Sequence, residues 1–134
     1  MSKPNFTGNW MLNQQQSKLQ IASPTSSIFE IEQSEPGFRL KRTLVYGDQS
    51  NSITLDLIID GKEHSHEIGE VTPGIRMFWD GDTLVGDMKV KTQDGEATNV
   101  VRYSLENDGQ NLVALERWRS SKLNCDNVCV LERQ

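Results

Sequence analysis

The sequence predicts an all-β protein, a single antiparallel up-and-down β-barrel of about ten strands, with helices reduced or absent. Three observations carry this. Segments of strand length recur from Ser26 to the C-terminus, each ended by Gly beside Asp or Asn. Apolar and polar residues alternate within them, as in Ile53, Leu55, Leu57 and Ile59 against Thr54, Asp56 and Asp60. No stretch has the length of the crossover helix that parallel strands need, so a meander is the economical connection and closure removes the exposed edges.

Taken in order, the chain opens with Pro4 to Leu12, P-N-F-T-G-N-W-M-L, the expected first strand. Gly8 lets the backbone bend or be approached closely at the barrel's end, and Trp10, two residues on, turns the same face inward as a plug. Asn13 to Thr25 is polar and contains S-P-T, a loop with room for one short helical turn at Gln15 to Leu19. Strands are then expected at Ser27 to Gln33, before E-P-G, and at Phe38 to Tyr46, before Gly47-Asp48. Ile53 to Ile59 ends at Asp60-Gly61, a two-residue hairpin signal, and Glu63 to Ile68 should run back along it. Ile75 to Trp79, Thr83 to Lys91 and Ala97 to Leu105 follow, separated by Asp80-Gly81-Asp82 and Asp94-Gly95. After Asn107-Asp108-Gly109, Leu112 to Arg119 and Val128 to Arg133 close the chain. The expected core is Trp10, Phe29, Leu40, Leu55, Leu57, Met77, Leu84, Met88, Val100, Leu115 and Leu131, subject to the one-residue slip that exchanges faces in any strand.

A chain of 134 residues and 15.2 kDa suits one domain, residues 1–134, with a core that needs neither disulfide nor metal. The apolar fraction of 35% and mean hydropathy of -0.57 are low, yet the charges are mixed and the apolar residues periodic, which argues against disorder. A net charge of -5, with no run of Lys or Arg, argues against a phosphate-binding face, so no nucleic-acid partner is expected, nor an anionic membrane surface. No apolar run approaches the roughly 18 residues of a spanning helix, and Met1 to Phe6 lacks the apolar region of a signal peptide. The expectation is a soluble protein without membrane insertion: cytoplasmic as the sequence stands, periplasmic or secreted if an export signal has been trimmed away. Cys125 and Cys129 are too far apart on an extended strand to bond, so a bridge would need a turn at Asp126-Asn127; free thiols are expected, with Cys129 a buried strand residue.

Pro4-Asn5-Phe6-Thr7-Gly8-Asn9-Trp10 closely resembles the N-terminus of the cellular retinoic-acid-binding and fatty-acid-binding proteins, the intracellular lipid-binding branch of the lipocalin-like (calycin) barrels. Arg102, followed by Leu105 and the turn Asn107 to Gly109, resembles the family's strand with an inward arginine, and Asn127-Val128-Cys129 the start of its last strand. The middle, with Asp60-Gly61-Lys62-Glu63 and Trp79-Asp80-Gly81-Asp82-Thr83-Leu84, resembles small bacterial lipocalin-like domains. Two departures stand out. Asn13 to Thr25 is too short for the family's pair of lid helices, and the final-strand Arg-x-Tyr that holds a ligand carboxylate is here Leu131-Glu132-Arg133.

The resemblance implies a non-catalytic binder of a small hydrophobic, carboxylate-bearing ligand of fatty-acid or retinoid type inside the barrel, through Arg102, Arg133, Trp10, Met77, Trp79 and Leu131. Arg102 would pair bidentately with the carboxylate, or else form an internal salt bridge or face solvent. Arg133 would converge on the same group, lie exposed at a strand end, or pack over Trp10 as in more distant lipocalins. The alternative is a bacterial lipocalin-like barrel with a filled interior, serving a structural or protein-interaction role. An enzyme using the cavity is the third reading: Glu30, Glu32 and Glu116 could act as acids or bases, but no G-x-S-x-G elbow, Cys-His pair or glycine-rich phosphate loop is present. His64 and His66 share a strand face without an obvious third ligand, so no metal and no cofactor is expected.

Overall fold

The computed structural model describes residues 3–20 and 24–134. Ten antiparallel strands form one sheet: β1 (Gly8–Leu12), β2 (Ser26–Ser34), β3 (Gly37–Tyr46), β4 (Gln49–Ile58), β5 (Glu63–Ser65), β6 (Gly74–Asp80), β7 (Thr83–Thr92), β8 (Gly95–Glu106), β9 (Asn111–Arg119) and β10 (Asn124–Arg133). Their order is β4-β3-β2-β1-β10-β9-β8-β7-β6-β5, an up-and-down meander whose first and last strands pair to curl it into a barrel. No helix occurs among the described residues; Gln14 to Gln16 form a turn, so the helical turn expected near Gln15 is absent.

The alternation read from the sequence becomes the two faces of this sheet. Inward residues are Trp10 on β1, Phe29 and Ile31 on β2, Phe38 and Leu40 on β3, Leu57 on β4, Met77 on β6, Leu84 on β7, Tyr103 on β8, Leu112 and Ala114 on β9, and Cys129 and Leu131 on β10, all in one core cluster. Leu55 and Met88 join it half-buried. Two expected core residues do not belong there: Leu115 is 44% exposed and Val100 lies on the same outer face. Tyr103 pairs with Leu84 and Ala114, both core, so on β8 the inward set is Ala97, Asn99, Val101, Tyr103 and Leu105 and the even residues face out. The odd set carries the larger apolar surface, and its burial fixes the phase.

A second correction concerns Asp60-Gly61. β4 and β5 do not pair, and β5 is limited to three residues that pair with β6. The Ile59 amide donates to the Pro36 carbonyl at 2.7 Å and the Gly61 amide to the Met77 carbonyl at 2.9 Å, so the chain crosses towards β6 instead of folding back on β4. The Asp60 carboxylate caps this crossing by accepting from the Lys62 amide and contacting His64, contacts that hold its carboxyl below the usual range. The sheet thus keeps a seam between β4 and β5. β10 begins earlier than expected, at Asn124, which sets Cys125 and Cys129 on one extended strand, both buried and unbridged.

Candidate functional site

The interior has a filled end and a hollow end. At the filled end Trp10 is wholly buried, its indole Nε1 donates to the Phe6 carbonyl at 3.0 Å, and Phe6 stacks on Trp79. The Arg133 guanidinium lies 4.2 Å from the Trp10 ring centroid and donates to the Thr7 and Gly109 carbonyls. Gly8 is required here. Its φ is +148°, and a Cβ would fall 2.6 Å from Arg133 Nη1, which is the close approach expected of that glycine. Of the three placements open to Arg133, the structure shows the packing over Trp10.

Arg102 is the main correction among the site residues. It sits on the outer face of β8, with its side chain 46% exposed and its Nη1 3.0 Å from Asp80 Oδ2, outside the barrel. The reason is the β8 phase set by Tyr103. Trp10, Met77 and Leu131 belong to the core, with Trp79 packed against it. Those four are brought together by packing; none of the six expected ligand contacts lines the hollow end.

That hollow is a cavity of ≈ 50 Å³ between the inner faces of β2, β3, β9 and β10, beneath the segment joining β1 to β2. Leu12, Leu19, Pro24 and Leu44 are part of its apolar lining, while Ser27, Arg42, Tyr46, Glu116 and Asn127 supply polar groups. Arg42 is inward because it continues the even phase of Phe38 and Leu40 on β3, and its guanidinium covers the Phe29 ring at 5.0 Å. Its Nη1 lies 3.8 Å from Glu116 Oε2, an ion pair too long to be a hydrogen bond. Glu116 accepts instead from Asn127 Nδ2 at 2.9 Å and Asn99 Nδ2 at 3.1 Å. Asn127 also accepts from the Gln20 amide at 2.8 Å, which ties the covering segment to the wall. That segment runs beside β10, exchanging backbone hydrogen bonds between Lys18 and Val128.

Burial shapes the neighbouring acids. It pushes Tyr103 up to about 12 and the Cys129 thiol up to about 11, with Arg42 opposing and Glu116 reinforcing both shifts. A thiol held protonated in this way is a poor nucleophile. Arg42, Asn99 and Asn127 were not singled out from the sequence, although each continues the inward phase of apolar neighbours on its own strand. Among the described residues no group of His, Cys, Asp and Glu is placed to hold a metal ion. No helix among them is long and apolar enough to cross a membrane.

No protein-family model matches the chain, and no curated protein matches it by sequence. Solved structures do. Secretory abundant heat soluble protein 4 of Ramazzottius varieornatus superimposes with a TM-score of 0.68 at 9% identity, over 100% of this chain and 99% of that one. The shared fold is an antiparallel up-and-down β-barrel of ten strands. Lipid binding protein 8 of Caenorhabditis elegans matches at 0.66 and 12% identity, covering 96% of this chain and 95% of its own. The zebrafish ileal bile acid-binding protein complexed with cholic acid matches at 0.63 and 16%, covering 96% and 98%. At such identities the calycin likeness concerns architecture, and the lining side chains of this chain have to be read for themselves.

Proposed function

We propose that this calycin barrel is a non-catalytic binder of a small ligand with an apolar body and a polar head, fatty-acid or retinoid in type. The observation that carries the reading is the cavity beside Arg42, with its apolar lining under the β1–β2 segment. At ≈ 50 Å³ the cavity has room for a polar head beside Arg42, and an apolar body would have to extend past Leu12, Leu19, Pro24 and Leu44. The neighbours whose names record lipid or bile-acid binding support the same class of ligand. Arg42 takes over the anchoring part that the resemblance gave to Arg102, which is engaged with Asp80 outside. Cys129, held protonated, and Glu116, committed to two asparagine amides, offer no activated nucleophile or base.

The filled end favours the second reading, a barrel with a structural or protein-interaction role, because Phe6, Trp10, Leu84, Leu112 and Leu131 leave that half without space. Purification from the native source followed by solvent extraction and mass spectrometry separates the two. A binder releases an apolar molecule in near-stoichiometric amount, and Arg42→Leu purified in parallel releases much less. Protein that carries nothing, and takes up no member of a lipid panel on titration, leaves the structural reading standing.

A further inference from the structure

The outer face of the sheet carries a second concave surface. On β8, β9 and β10 the residues turned away from the core include Val100, Leu115 and Val128; Val128 lies opposite Leu115 on the ladder, and Val100 one row along. Leu115 is 44% exposed. With Arg102, Arg117 and Asp126 these residues line an open groove of ≈ 490 Å³, a volume in the range of binding sites for small groups. The core makes no use of this floor, and exposed apolar surface rimmed by polar residues marks a contact site.

The charge around the floor is uneven. Arg102 Nη1 meets Asp80 Oδ2 at 3.0 Å, and Asp126 Oδ1 accepts from Arg119 Nη1 at 2.8 Å. Arg117 has the poorest contact of the three: its Nε stands 3.9 Å from the oxygen that Arg119 already holds, beyond hydrogen-bond reach, and its side chain is 69% exposed. Asp87, opposite Val100 on β7, is neutralised by Arg76 at 3.5 Å. Three arginines therefore meet two carboxylates at the groove, a local positive excess on a chain whose net charge is -5.

We infer that this groove docks an acidic segment of a partner protein, which sets a leucine- or phenylalanine-sized side chain on Leu115, Val100 and Val128 and a neighbouring carboxylate on Arg117. The guanidinium fork suits a carboxylate in two-point contact, and the apolar floor selects against a purely acidic chain. A second copy fits worse, since two such faces would oppose the same surplus of arginine and two chains of net charge -5 repel. An anionic membrane fits worse too, because one surplus charge is a weak hold on a lipid surface. The inference is independent of what the interior of the barrel holds.

Selection from a phage-displayed library of random heptapeptides on the immobilised protein, followed by titration of the enriched peptides, tests this. The enriched sequences should combine Leu or Phe with Asp or Glu and shift the amide resonances of Leu115, Arg117 and Val128. They should bind Arg117→Glu and Leu115→Ser about tenfold or more weakly than the parent, as expected where an arginine and an apolar anchor carry the contact. Enriched peptides that lack acids, equal affinity for parent and variants, or no enrichment over a blank support overturns the inference. So does a parent protein that pellets with phosphatidylserine vesicles but not after Arg117→Glu, or one that sediments as a dimer and reverts to monomer with Leu115→Ser. Should either variant not fold, the sequences enriched on the parent and the resonances they shift decide alone.

Discussion

Where the two termini of the chain meet, Phe6, Trp10, Phe38 and Leu131 are buried almost completely, and the Arg133 guanidinium over Trp10 is spent on backbone carbonyls. Beneath the β1–β2 segment the same barrel carries Arg42, Glu116 and Asn127 around a small cavity, with Asn99 hydrogen-bonded to Glu116. Apolar packing holds the first region; the second is a polar network whose members depend on one another. The contrast teaches that apolar packing and buried polar groups are segregated along the barrel, so substitutions at the two ends should fail in different ways.

The largest effect is expected at the filled end. Trp10→Ala should destabilise the protein by about 3 to 5 kcal/mol in urea denaturation, since it removes the plug and the platform under Arg133 together. A loss below about 1 kcal/mol, no larger than the scatter of surface substitutions, would break the division between the ends. In the hollow half, Asn127→Ala should cost about 1 to 3 kcal/mol, because Glu116 and the Gln20 amide each lose a buried partner. It should also loosen the covering segment, read as faster amide exchange at Gln20 without change on β1. Equal exchange in parent and variant would show that the segment is held by the Lys18–Val128 pairing instead.

The buried acids give the comparison a pH axis. Tyr103 and Cys129 titrate at about 12 and about 11 in the folded protein, above their ordinary 10.0 and 9.0, so the unfolded chain releases these protons first as pH rises. The stability tied to their protonated forms is intact below about pH 9 and is lost progressively as the pH climbs through their folded values. The urea midpoint should therefore fall across this alkaline range, and Cys129→Ala with Tyr103→Phe should flatten the fall. A slope identical in parent and double variant would remove the linkage. The smallest effect belongs to the outer face: Arg102→Gln breaks an exposed pair and should change stability by less than about 0.5 kcal/mol.

Much of this architecture was legible because the turn residues and the period of two are local signals. Asp94-Gly95 and Asn107-Asp108-Gly109 turn the chain where expected, and Gly8 and Trp10 play the parts that their spacing indicates. What was not legible lies in phase and in non-local pairing. On β8, V-V-R-Y-S supplies apolar residues to both faces, so the choice rests on Tyr103 meeting Leu84 and Ala114, residues brought beside it by the neighbouring strands. Asp60-Gly61 has the composition of a hairpin, but Ile59 before it still bonds to Pro36 beside β3, and Gly61 bonds to Met77 on β6. Of the polar residues in and beside the cavity wall, Glu116 was singled out and its partners were not, for a related reason. Arg42 and Asn99 are polar residues in strands, and only the inward phase of Phe38, Leu40 and Tyr103 brings them inside.

The seam between β4 and β5 bears on how large a guest the barrel can hold. A ring of hydrogen-bonded strands has a circumference fixed by strand number and stagger, and widening it would break a whole ladder. This sheet is a rolled ribbon whose two edges meet without one, fastened between Gly61 and Met77. Such a ribbon relaxes by unrolling: the strands keep every ladder while the roll opens at its seam. The ≈ 50 Å³ beside Arg42 is walled by β2, β3, β9 and β10, so it lies within the laddered part of the ribbon, and the room the barrel can gain lies on the other side, where β4 faces β6.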